Sequence, residues 1–126
     1  LDCVPDYYTP ILITSHTMVE EHPDVVAAFV QATARGFAYA IAYPNEAADI
    51  LLEAVPELDA DLVHASAEWL AAQFMADAPR WGQQSVEVWQ GFSDFLVEHG
   101  ILDEGIDAEA AFTNEFLPGT VDEDAG

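Results

Sequence analysis

Asp6–Ser15, DYYTPILITS, decides how the rest of the chain is read. Aromatic and β-branched residues run through it as one apolar block between Val4-Pro5 and the polar pair Ser15-His16, which is the composition of a β-strand. Pro10 removes one backbone donor, placing such a strand at a sheet edge or at a crossing between structural units. A pleat would send Tyr7 and Tyr8 to opposite faces. Everything downstream reads as helix. One strand cannot satisfy its own backbone donors and acceptors, so this segment calls for a sheet that the remaining residues do not supply. The sequence therefore reads as part of something larger.

Outward from that segment, Thr17-Met-Val-Glu20 has the form of a capping box. His22-Pro23-Asp24 then opens a longer helix, so that residues 17–43 read as helical, with Val26, Phe29 (or Val30), Thr33, Phe37 and Ile41 on one stripe. Gly36, inside that stretch, costs about 1 kcal/mol relative to Ala, which suggests another backbone close by. Pro44 begins a helix over 45–55 that Pro56 ends, and Asp59 is placed to cap a third over 60–76. The break DAPRWG, Asp77–Gly82, precedes a helix over 84–99, with Gly100 suited to its C′ position. A short helix is expected over 107–112 and a packed segment up to Pro118. Residues 119–126 read as a disordered tail. The expected class is predominantly α-helical, about five helices plus one strand, with Phe29, Phe37, Phe74, Trp89 and Phe92 in the core.

Charge narrows the partners. There are 24 acidic residues against two arginines and no lysine, a formal net charge of −22. Such a chain repels nucleic-acid phosphate and anionic lipid, so no nucleic-acid partner is expected. The acids are scattered, and the near-absence of bases points to adaptation to high salt, where screening over about 3 Å at 1 M removes self-repulsion. No uninterrupted apolar run approaches the roughly 20 residues of a membrane span. Without an initiator Met or a signal-like opening, the start reads as a fragment boundary. Cys3, being alone, forms no internal disulfide.

Catalytic and metal patterns are missing from the sequence. The four histidines lack ligand spacing, and no H-E-x-x-H, paired-cysteine, phosphate-loop or G-x-S-x-G motif occurs, so no catalytic residue, metal or cofactor is assigned. The arginines say more. Arg35, on a helix beside Gly36, reads as structural. Arg80 adjoins Trp81 in a loop, where a guanidinium next to an indole can hold a planar or anionic ligand or simply bridge helices. Tyr7, Tyr8 and Trp81 fall outside the helix-core spacing and are candidates for stacking on a flat ligand.

VPDYYTPILITS, HPDVVAAFVQATARGFAYAIAYPNEAADIL, DAPRWG, VWQGFSDFLVEHGIL and FTNEFLP resemble, in order, the C-terminal part of a family of ABC-transporter substrate-binding proteins. These extracytoplasmic solute receptors are related to the fungal thiamine-pyrimidine synthases. The resemblance covers about residues 2–118. It implies a two-lobed α/β type II periplasmic-binding-protein fold, of which residues 1–118 are the C-terminal portion and Asp6–Ser15 the return strand between lobes. It places Asp6, Tyr7 and Tyr8 near the hinge and cleft, where a planar heterocycle is stacked and its amino group bound by a carboxylate. The implied partners are an aminopyrimidine-like solute, ABC permease subunits and the missing N-terminal lobe. The implied location is extracytoplasmic. An exposed strand also implies self-association. Two other readings stand beside this one. The first is a pyrimidine-synthase-like enzyme, whose chemistry goes with a cysteine-rich iron site that lone Cys3 does not reproduce. The second is a free-standing helical interaction domain.

Overall fold

The computed structural model describes residues 4–75 and 78–119, so Cys3, Asp77 and most of the expected tail lie outside the described residues. Five helices follow one another: α1 (His16–Glu21), α2 (Pro23–Ala42), α3 (Pro44–Ala54), α4 (Ala60–Gln73) and α5 (Val86–Glu98). Their breaks follow from local sterics. His22, Tyr43 and Val55 have φ of −135°, −136° and −135° with positive ψ, and each precedes a proline. The proline ring excludes the helical conformation from the residue before it, while Pro23 and Pro44 themselves suit a first helical position. Side chains seal other ends. Ser15, Asp59 and Ser85 accept hydrogen bonds from the N–H groups of Met18, Leu62 and Val88. α1 thus begins at His16 on Ser15, two residues earlier than a capping box on Thr17 suggests.

α5 ends in a Schellman motif: Ile101 N–H donates to Leu96 O at 2.8 Å and Gly100 N–H to Val97 O at 3.0 Å, with Gly100 at φ +66°.

Three expectations need correcting. Among the described residues there is no β-strand: Asp6–Ser15 has no regular structure, bends at Pro10 and carries no ladder. Its composition favours a strand, yet no described strand lies beside it to receive its hydrogen bonds. Residues 107–112 form turns, not a helix, because the Asp107 carboxylate accepts from the Glu109 and Ala110 N–H groups and closes a local loop. Gly36 has nothing within 4 Å of where a Cβ would stand, so no backbone crosses there.

α2, α3 and α4 pack together, α1 lies on α2, and α5 stands apart from this bundle. Polar clamps join the three central helices. Tyr39 O–H on α2 donates to Glu46 on α3 at 2.8 Å, and Asn45 on α3 donates to Glu68 on α4 at 3.1 Å. The Glu46 carboxylate, accepting that proton, holds the Tyr39 hydroxyl above its ordinary ionisation range. Because the neutral phenol is favoured in the folded protein, this contribution is complete below about pH 10 and fades as pH rises through the raised value. The phenolate absorbance of Tyr39 should therefore appear later in an alkaline titration than that of free tyrosine. Glu46→Gln should move it back toward the free value, and an unmoved titration would argue against the clamp.

The interior is thin. Only Ala34, Ala48, Ala108 and Ser93 are buried among the described residues. Phe29, expected in the core, is 61% exposed, and Ile13 is 86% exposed. Ile50, Leu51, Leu62 and Trp69 are likewise open to solvent. Helical periodicity marks these faces for burial, but no other described part of the chain reaches them. By length and composition α2 is apolar enough to cross a membrane, although Asp24, Gln31 and Arg35 interrupt it. Its Phe37 packs edge-to-face on Phe74 at 4.8 Å, the contact of a bundle helix.

Candidate functional site

Two regions collect the residues singled out from the sequence. The first is a face of α5. Tyr7 stacks on Phe92 with ring centroids 4.9 Å apart and planes 17° from parallel. Tyr8 leans on Trp89 at 6.3 Å, and its hydroxyl accepts a hydrogen bond from Ser85 N–H at 2.8 Å. Phe92 lies three residues after Trp89, so both tyrosines meet the same helix. The opposite-face arrangement expected of a pleated strand is absent because there is no pleat. Tyr8 is half-buried, its ring against Trp89 and its hydroxyl bonded to Ser85. Tyr7 keeps 52% of its surface exposed, with Asp6 exposed beside it. A ring with one face fixed and the other open is a stacking platform, and Asp6 sets a carboxylate next to it.

The second region is a cavity of about 820 Å³. It is lined by Ile11 and Ile13 from the segment before α1, by Val26 and Phe29 of α2, and by Trp81 and Phe116. Of the five candidate residues only Trp81 lines it. Trp81 also packs on Phe37 at 5.0 Å, which ties the loop before α5 to the middle of α2. Arg80 is half-buried one residue earlier, its carbonyl accepting from Gln83 N–H at 3.3 Å. The turn that carries this pair depends on Gly82, at φ +78°, where an added Cβ would stand 3.0 Å from Leu117 Cδ2. Arg80 and Trp81 therefore sit apart from Asp6, Tyr7 and Tyr8.

A polar knot joins the two regions. Trp89 Nε1 donates to Gln84 Oε1 at 2.7 Å, and its ring lies parallel to Phe112 at 6.2 Å. Asn114 accepts from Gln84 N–H at 3.0 Å and returns a bond to Gln84 O at 2.8 Å. Sequence reasoning saw Trp89 only as core and passed over Gln84 and Asn114. The one available signal was Asn114 between aromatics in FTNEFLP. Ser93 was missed as well. It is 1% exposed, and its hydroxyl accepts from Ile106 N–H at 3.0 Å. No group of three or more His, Cys, Asp or Glu side chains capable of holding a metal occurs among the described residues.

Residues 1–47, which include α1, α2 and the segment leading to the Tyr7 platform, match the model of the NMT1/THI5 like family. The chain is 32% identical over 119 residues to the riboflavin-binding protein RibY of Chloroflexus aurantiacus, covering 86% of this chain and 32% of that protein. It is 29% identical over 115 residues to the formylaminopyrimidine-binding protein of Halalkalibacterium halodurans, covering 88% and 35%. It is 30% identical over 103 residues to a 4-amino-5-hydroxymethyl-2-methylpyrimidine phosphate synthase of Legionella pneumophila, covering 79% and 30%. The chain spans about a third of the length of these curated relatives. The match over residues 1–47 and the likeness to these three relatives make the chain similar to the NMT1/THI5-like family.

Proposed function

We propose that the chain is part of an extracytoplasmic solute-binding component of an ABC importer, taking a thiamine pyrimidine precursor or a related planar heterocycle, and that it is not an enzyme. The observation that carries this is the alignment, over more than four-fifths of the chain, with two relatives named for binding a flat heterocycle. The geometry agrees in kind. The open face of Tyr7, backed by Phe92, offers a stacking surface of about the right size, and Asp6 offers an acceptor for a ring amino group. Tyr8 anchors the platform through Ser85, while Trp81 lines the neighbouring cavity.

In this reading the fold is one part of a two-lobed α/β protein. The exposed apolar faces at Ile11–Ile13 and Phe29 are covered by the rest of the same polypeptide, where Asp6–Ser15 joins a sheet as a strand. The relatives are about three times as long, which supports such a completion. Permease subunits would then meet the closed protein. Left uncovered, the same segment would pair with a second copy.

Calorimetry on the intact polypeptide in molar salt tests the reading, with an aminopyrimidine, its formylated derivative and riboflavin as titrants. One of the three should bind stoichiometrically, and Tyr7→Ala should weaken it by about tenfold or more, the scale of one lost aromatic stack. Absence of binding to all three would end the proposal. Turnover of a pyrimidine precursor would favour the synthase reading, which the Legionella relative supports.

A further inference from the structure

Away from the cavity and the tyrosine platform, a chain of side chains links α3 to α4 and dictates where its protons lie. Asn45 donates through Nδ2 to Glu68 Oε1 at 3.1 Å. A carboxylate only accepts, so this bond fixes the Asn45 amide with its NH₂ toward Glu68 and its Oδ1 toward His64. His64 Nδ1 stands 3.0 Å from that Oδ1, and an amide oxygen also only accepts. Nδ1 must therefore carry a hydrogen. On the other side of the ring, Nε2 stands 3.1 Å from Asp49 Oδ1, a second acceptor, so Nε2 must carry one too. Both contacts are satisfied together only by the imidazolium.

We propose that His64 is a pH-sensitive latch between α3 and α4, closed while its ring holds two protons and half-open once one leaves. Ionisable groups on three helices surround the ring. On α3, Asp49 touches the ring, with Glu46 and Glu53 one turn to either side. On α4 itself, Asp61 and Glu68 lie three residues before and four after. α2, packed on both helices, has Asp24, Arg35 and Tyr39 as its ionisable residues, with Tyr39 engaged by Glu46. Arg35 is the single base in that set. Loss of a proton leaves one ring nitrogen facing an acceptor with nothing to donate, so either the Asn45 or the Asp49 contact breaks. Since histidine changes charge between about pH 5 and 8, the α3–α4 hairpin loosens as pH rises across that interval. The device concerns the joint between two helices and is independent of what the protein binds.

Ring-nitrogen NMR of His64 in the unmodified chain, in molar salt, is the direct test. At the acid end of that interval both ring nitrogens should show directly bonded hydrogens, and one should vanish on raising the pH. A double-mutant cycle with His64→Gln and Asp49→Asn should show coupling in thermal midpoint of a few degrees at the acid end and none at the alkaline end. A ring holding one proton throughout, or a coupling that ignores pH, would overturn the latch. The NMR measurement decides the matter even if a variant fails to fold.

Discussion

Transfer from molar to about ten-millimolar salt is expected to abolish most of the helical circular-dichroism signal. The chain carries a formal charge of −22, and its two arginines are not joined to any described carboxylate. His64–Asp49, an ion pair only when the ring is protonated, is the one such contact among the described residues. Screening extends over about 3 Å at 1 M but about 30 Å at 0.01 M, so in dilute salt the acids of every helix repel one another across the whole molecule. The opposing burial is small, because among the described residues only three alanines and Ser93 are buried. Proteins are held by about 5–15 kcal/mol in total, and this one has little interior with which to resist. A melting midpoint that stays level from molar to millimolar salt would remove the case for salt adaptation.

Trp89→Ala is expected to be the most damaging single substitution away from any ligand, lowering stability by about 3 kcal/mol. That figure is the low end for deleting a large aromatic, chosen because Trp89 is only half-buried. Its ring supports Tyr8 and Phe112, and its N–H donates to Gln84, which in turn holds Asn114. One side chain thus fastens both the segment before α1 and the segment after α5. Trp89→Phe should cost about 1 kcal/mol, keeping the stacking and losing the hydrogen bond. Trp69→Ala, at a position 65% exposed, should change stability by no more than about 0.5 kcal/mol. Denaturant midpoints of the three variants give the comparison, and protease cleavage near Phe112 should rise only in Trp89→Ala. Equal effects at positions 69 and 89 would show that the knot does not organise the molecule.

The contrast between those two tryptophans illustrates what could be read in advance. Both sit at helix-core spacing, and nothing in the local sequence separates them. One meets Phe112, Tyr8 and Gln84, while the other meets solvent. The paired tyrosines were visible as unusual, yet their common seat on α5 depends on Phe92 and Trp89, more than 80 residues away in the chain. Arg80 and Trp81 are neighbours in sequence, yet only Trp81 lines the cavity, and the tyrosines reach that cavity only through Trp89, on which Tyr8 leans.

What the sequence determined by itself is local in origin: the prolines at 23, 44 and 56 that bar helix from the residue before each, the cap at Asp59, the turn at Gly100, and the charge of −22. Those follow from sterics within a few bonds or from summed ionisation. Only the tertiary structure decided that Asp6–Ser15 carries no ladder, that Ser93 is the most buried polar side chain, and that His64 bridges two helices. Each of these needs a partner brought from elsewhere in the chain: an absent strand, the Ile106 amide, the Asp49 carboxylate. Composition ranks what a segment prefers, but a hydrogen bond or a buried face exists only where a second group arrives to complete it.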